Sequence, residues 1–325
     1  MREVDDPSCG AGDLVIDVAQ CGVCGTDRSI FRGEYVVARP VILGHEYTGT
    51  VTDVGSSVTG FDVGDRVVVD PNVVDDVCFY CRRGQSHLCT GLSALGVDRN
   101  GGFAERSAVP ARYAHKIPDG LSFADAVLIE PLACCIRGID QANVTTGDVV
   151  VICGAGPIGC LLMQLARMNG AATVVAVEPS PSRHDGAVRA GADVVCTPRE
   201  VADVLQGVRG SVGADVVIEA SGSMASAATS FDLVRRGGTV LLFGVYPQDQ
   251  TMPVSPFRIN EDELRVVGSL NNPSTHSRAL ELMTSGRLAL GDVVSHRLPL
   301  DELTSAMSLD NFANPGKIVI ELLAG

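Results

Sequence analysis

The chain has 325 residues, of which 46% are hydrophobic, and carries a formal net charge of −14. That length suggests about two domains, each able to bury its own core. The acidic balance, with no basic run, excludes a phosphate-contacting nucleic-acid surface, and the lack of a stretch of about eighteen apolar residues argues against a membrane span.

The opening "MREVDDPSCG" is acidic and has no apolar h-region, so it does not read as a signal peptide, and a cytoplasmic location is expected. Eleven cysteines in such a reducing compartment read as metal ligands, redox groups or small buried hydrophobes. Cys9, Cys134, Cys135, Cys153, Cys160 and Cys196 lie in apolar or mixed runs and are assigned to packing.

From residue 14 to about 70 the chain reads as short strands broken by glycine: "DLVIDVAQCGVCG", "YTGTVTDVG" and "GDRVVVD". This predicts a β-rich, barrel-like domain. "DDVCFYCRRGQSHLC" follows, with Cys78, Cys81 and Cys89 separated by two and then seven residues. Such spacing usually belongs to a metal lobe with four ligands, and Asp75 stands three residues before Cys78, which leaves a zinc site with one ligand exchanged, a decayed site, or three cysteines with no joint task. Beyond Ala133 the pattern changes. "VVVICGAGPIGCLLMQLARMNGAATVVAVE" predicts strand, glycine turn, helix and strand, and "ADVVIEASG", "GGTVLLFGV" and "LRVVGSL" predict further strands. Strands alternating with helices mean a parallel sheet. The tail predicts a helix at "HSRALELMTSG", another near "DELTSAMSL" and a last strand, "GKIVIELL".

Gly154, Gly156, Pro157, Ile158 and Gly159 form a GxGxxG turn between an apolar strand and a helix. In that context the glycines allow a tight turn and close approach of the backbone to a pyrophosphate at the helix N-terminus. Glu178 ends the next strand, where a carboxylate accepts from ribose hydroxyls and repels a 2′-phosphate. NAD is therefore expected over NADP, although Arg183 nearby could take a phosphate. The bland alternative is a glycine turn without a ligand. A second constellation is Cys24, His45, Glu46 and Glu130, donor types that suit zinc with one position left open. Taken singly, Cys24 also fits packing and His45 with Glu46 a surface pair. Glu130, in the apolar run "AVLIEPLACC", is costly to bury unless paired or metal-bound.

"GHEYTGTVTDVGSSV" resembles the signature of zinc-containing medium-chain alcohol dehydrogenases, and "GVCGTD", "GDRVVV", "GGFAE", "EPLACC" and "GAGPIG" follow that family's order. The resemblance implies a GroES-like catalytic domain over residues 1–134 with a structural-zinc lobe at 71–92. A Rossmann domain follows over 135–271, and 272–325 returns to the catalytic domain. It maps catalytic zinc ligands onto Cys24, His45 and Glu46, with Glu130 as ligand or supporting partner, as in the polyol and threonine dehydrogenase branch. It places a structural zinc on Cys78, Cys81, Cys89 and Asp75, with Asp76 as substitute; a metal-free lobe is the alternative. Thr26 begins a proton relay, while Ser29 stands where polyol enzymes commonly carry histidine. The resemblance also implies an opening strand in the relatives that this chain is expected to lack. The implied activity is NAD-dependent oxidation of a secondary alcohol of a sugar, polyol or cyclitol to the ketone by a homodimer or homotetramer. The alternatives are an amino-alcohol dehydrogenase of the threonine type and a non-catalytic dinucleotide-binding protein.

Overall fold

The computed structural model describes residues 2–322 except 36, 38, 39, 292, 310, 311 and 314, and leaves the Ser211 side chain undescribed. The chain divides into two compact units. The first holds Met1–Ala133, Asn271–Leu290 and Val294–Gly325, of which Met1 and residues 323–325 lie outside the described set; the second holds Cys134–Leu270 and Gly291–Val293.

In chain order the first unit begins with β1 (Asp13–Val23), β2 (Glu46–Val54), β3 (Arg66–Val69), β4 (Asn72–Val73), β5 (Ser93–Ala94), β6 (Arg106–Pro110) and β7 (Ala114–Lys116). The second contains β8 (Val149–Cys153), β9 (Thr173–Val177), β10 (Val194–Cys196), β11 (Ala214–Glu219), β12 (Val234–Leu242) and β13 (Arg265–Gly268). The chain then adds β14 (Val294–Pro299) and β15 (Lys317–Glu321) to the first unit.

The large sheet of the first unit runs β14-β15-β1-β2-β3-β7, with β6 also on β1. β1 pairs antiparallel with β2, β6 and β15, so it is the strand on which the unit is assembled. Two register shifts, at Val15/Ile16 and Val18/Gln20, bend it. Its inward side chains Leu14, Ile16 and Val18 join Tyr47, Val51, Val67, Val109, Ile318 and Ile320 in one buried core. Gly49 is required on β2, because a Cβ there would meet Asp17 O at 2.2 Å. Among described residues, those before Asp13 form no strand.

The second unit carries an all-parallel sheet in the order β10-β9-β8-β11-β12-β13. Counting β8 as the first strand, this is the doubly wound order 3-2-1-4-5-6, whose switch point lies between β8 and β11. β8 is buried at all five positions, which explains its unbroken apolar run. Of the six cysteines assigned to packing, Cys135, Cys153, Cys160 and Cys196 are buried. Cys9 is exposed and Cys134 only half-buried, so for Cys9 the packing assignment is corrected: it precedes the first strand and has no core above it.

Candidate metal centre and cofactor loop

β1 ends at Val23, and Cys24 follows as N-cap of the helix Gly25–Phe31. The third helical residue, Asp27, is fully buried and turns back: Oδ2 accepts from Cys24 N at 2.8 Å. Its other oxygen accepts from Gly44 N at 3.3 Å and lies 3.3 Å from His45 Nδ1. The His45 contact has an ion-pair separation without hydrogen-bond alignment, since Nδ1 is otherwise unpartnered. Asp27 thus sets the placement of both Cys24 and His45 through the Nδ1 side of the ring. Burial pushes the His45 imidazole pKa down, but Asp27 and the Cys24 sulfur outweigh it and leave it well above its usual value. Gly44 permits the turn into β2: φ is 94°, and a Cβ would meet Cys21 Sγ at 2.7 Å.

Glu46, the first residue of β2, is 1% exposed. Its Oε1 accepts from Lys317 Nζ at 2.6 Å, and Lys317 comes from β15. Burial would lower the Lys317 pKa; Glu46, Cys24 and, more weakly, Glu130 raise it instead. Glu46 Oε2 is buried without a hydrogen-bond partner among the described residues. Gly22 makes the room for it, since a Cβ there would stand 2.3 Å from that oxygen. One donor atom each from Cys24, His45 and Glu46 lie within 4.8 Å of one another. Sulfur, imidazole nitrogen and carboxylate oxygen, one of them a buried orphan, fit zinc with three protein ligands and a position left for water or substrate.

Glu130 is not one of these three donors. It is 7% exposed, and its Oε1 accepts from Asn272 Nδ2 at 2.8 Å. Thr26 is the second residue of the helix, so it is not the N-cap; its hydroxyl lies 3.9 Å from Cys24 Sγ. In the lobe, donors of Asp75, Cys78, Cys81 and Cys89 also lie within 4.8 Å of one another. Asp75 Oδ1 accepts from Val77 N and Cys78 N, both at 2.9 Å, and the Cys78 and Val77 amides lower its pKa to about 2. The Cys81 amide points at Cys78 Sγ, and those of Asp75 and Gly91 at Cys89 Sγ. Amides aimed at sulfur favour thiolate, the ligand form. Asp76 is turned elsewhere and pairs with Arg112.

In the second unit Gly154 has φ 104°, and a Cβ on Gly159 would stand 1.9 Å from Gly154 O. Gly156 is the N-cap of the helix Pro157–Met168, Pro157 its first residue and Ile158 its second. Glu178, directly after β9, is 2% exposed. Oε2 accepts from Ala155 N at 2.8 Å and Oε1 from Ser180 N at 2.9 Å, so the carboxylate is anchored to the glycine loop with lone pairs to spare. Arg183 Nη1 lies 3.7 Å from Glu178 Oε2 and beside Gly156. Glu219, at the end of β11, accepts from Ser221, Gly222 and the Tyr246 hydroxyl, fixing the turn that borders Gly154.

Sequence reasoning missed Asp27, Lys317, Asn272 and Glu219. A signal existed for two of them: Lys317 and Glu219 each stand beside an apolar strand run, where an unpaired charge is costly.

A doubly wound dinucleotide-type unit joined in one chain to a β unit with a Cys-His-Glu centre defines a zinc-dependent, nicotinamide-linked dehydrogenase. Residues 10–119 match the family model for the alcohol dehydrogenase GroES-like domain, and residues 157–285 that for zinc-binding dehydrogenase. D-altritol 5-dehydrogenase of Agrobacterium fabrum is 38% identical over 297 residues, 90% of this chain and 87% of that one. D-arabinitol dehydrogenase 1 of Uromyces fabae is 34% identical over 310 residues, 94% and 88% of the two chains. A Sinorhizobium meliloti structure described as a zinc-binding dehydrogenase bound to NADP has a TM-score of 0.94 and 38% identity, covering 98% of this chain and 95% of that one. The chain belongs to the zinc-binding alcohol dehydrogenase family.

Proposed function

We propose that the chain oxidises a secondary alcohol of a sugar, polyol or cyclitol to the ketone with NAD, and reduces the ketone in reverse. The carrying observation is the convergence of Cys24, His45 and Glu46 with one buried carboxylate oxygen left without a partner. The similarity to D-altritol and D-arabinitol dehydrogenases supports the substrate class. Bound at Cys24, His45 and Glu46, zinc would supply Lewis-acid chemistry to the alcohol oxygen, and a nicotinamide cofactor on the glycine loop would supply the hydride acceptor. The chain's residues do the rest. Asp27 orients His45, and Lys317 holds Oε1 of Glu46 while Oε2 stays without a partner among the described residues. The Thr26 hydroxyl takes the alcohol proton and passes its own on to water, since a hydroxyl donates and accepts at once. Asn272 holds Glu130 in place as a supporting carboxylate rather than one of the three donors.

Glu178, buried and anchored to Ala155, supports NAD over NADP by opposing a 2′-phosphate. The four donors of the lobe support a structural zinc held by Asp75, Cys78, Cys81 and Cys89. Edge strand β13 leaves Val266, and just beyond it Leu270, exposed, which supports pairing of copies into a homodimer or homotetramer. Eleven cysteines with no disulfide among the described residues suit a reducing, cytoplasmic compartment, and among the described residues no helix is long and apolar enough to cross a membrane.

The test is a panel of polyols, cyclitols, aminocyclitols and amino alcohols with NAD, read as cofactor reduction, on wild type and Cys24→Ser. Polyols or sugars should turn over fastest, and the variant should lose turnover while still binding NADH. Fastest turnover of an amino alcohol would replace the substrate class, and an active Cys24→Ser would overturn the metal centre.

A further inference from the structure

A third group of metal-type donors lies within the first unit, away from both spacings read in the sequence. Asp70 directly follows β3, His115 is the middle residue of β7, and His276 opens the helix His276–Thr284. One donor atom from each lies within 4.8 Å of the other two. Antiparallel pairing of β3 with β7 aligns Val68 with His115 and Val69 with Ala114, which brings Asp70 to the same end. His276 is 2% exposed, and neither of its ring nitrogens has a hydrogen-bond partner among the described residues. Asp70 Oδ2 lies 3.5 Å from Nδ1 without hydrogen-bond alignment. A buried imidazole normally satisfies at least one nitrogen, and an orphaned pair asks for a ligand.

The rest of the cluster is arranged around that ring. The His115 imidazole lies parallel to it, with centroids 5.3 Å apart and planes 6° apart. Asp70 Oδ1 accepts from Asn72 N at 3.0 Å and Asn72 Nδ2 at 2.9 Å, which turns Oδ2 toward the histidines. Asp70 and His115 line a cavity of ≈ 380 Å³, which provides an entry path and room for coordinating water.

We propose that Asp70, His115 and His276 form a further binding site for a divalent transition-metal cation, zinc foremost. Two imidazoles and one carboxylate match the donor preferences of zinc and its first-row neighbours and discriminate against magnesium and calcium, which take oxygen ligands. Parallel rings must turn for both to point a nitrogen at one cation, and the half-buried His115 is the one with room. The site also connects inward. Asn72 Nδ2 donates to Asn272 Oδ1 at 2.6 Å, and Asn272 Nδ2 donates to Glu130 Oε1 at 2.8 Å. An ion on Asp70 therefore braces, through two amides, the buried Glu130 carboxylate.

The test is metal analysis of the full-length protein after equilibrium dialysis at micromolar free zinc. Wild type is compared with His115→Phe, which keeps an aromatic ring in the stack, and with His276→Leu. Each variant should bind one zinc equivalent fewer than wild type, while Cys24→Ser loses a different equivalent and adds to the loss in combination. Should His276→Leu fail to fold, His115→Phe decides alone. Equal zinc content in wild type and folded His115→Phe overturns the proposal, whatever becomes of the catalytic centre.

Discussion

Replacing Lys317 by Met tests the link between the last strand and the metal centre. The ammonium lies 2.6 Å from Glu46 Oε1, and both side chains are almost fully buried, at 6% and 2% exposure. At an effective dielectric constant of about 20, two unit charges at that distance attract by about 6 kcal/mol. Desolvation of both ions cancels part of this, but removing one partner leaves the other charge buried alone, which costs about 3–5 kcal/mol. For a unit of this size each kcal/mol shifts the melting temperature by roughly 2–4 °C, so Lys317→Met should melt roughly 6–20 °C lower in metal-stripped protein. A cation at the centre compensates the same carboxylate, so the drop should shrink in zinc-loaded protein. Calorimetry or circular dichroism on both forms measures this. A cycle with Glu46→Gln should return a coupling above about 1 kcal/mol, as contacting groups do. Melting of Lys317→Met within a degree or two of wild type in the stripped form, or a coupling near zero, would refute the reasoning.

Thr26→Val should slow turnover by roughly 10²–10⁴-fold, the scale of a lost proton-transfer group, whereas Ser29→Ala should do much less because water replaces a small hydroxyl; steady-state kinetics beside melting curves separate a relay from a structural loss. Asp75→Ala should release one zinc and loosen the lobe without removing the catalytic metal, so unchanged zinc stoichiometry counts against Asp75 as ligand. Glu178→Ala should narrow the preference for NAD over NADP, as read from the ratio of kcat/KM values; an unchanged ratio would shift the discrimination to Arg183. Asp27→Asn keeps the shape but removes the charge beside His45 Nδ1, and should weaken zinc affinity about 10–100-fold in a competition titration with a chelator.

Features that depend on neighbours along the chain could be read before any fold was known. The glycine turn was legible because its demands are local: a positive φ at Gly154 and no Cβ at Gly159 arise within six residues of one strand-to-helix junction. The alternation of strands and helices after Ala133 announced the parallel sheet for the same reason, since buried parallel strands must be apolar throughout. Cys24, His45 and Glu46 could be named from residue type and motif, and so could the three cysteines of the lobe with Asp75. What surrounds them was decided only by tertiary structure. Lys317 reaches Glu46 because β15 pairs with β1, and β1 with β2, which joins residues 271 positions apart. Asn272 donates to Glu130 Oε1 from 142 positions away in the chain. Asp70, His115 and His276 carry no shared spacing at all; a strand pairing and a helix start bring them together. A spacing motif records only ligands on one loop or turn, whereas the charges and orphaned nitrogens that tune a buried site come from whichever strands the sheet register sets beside it.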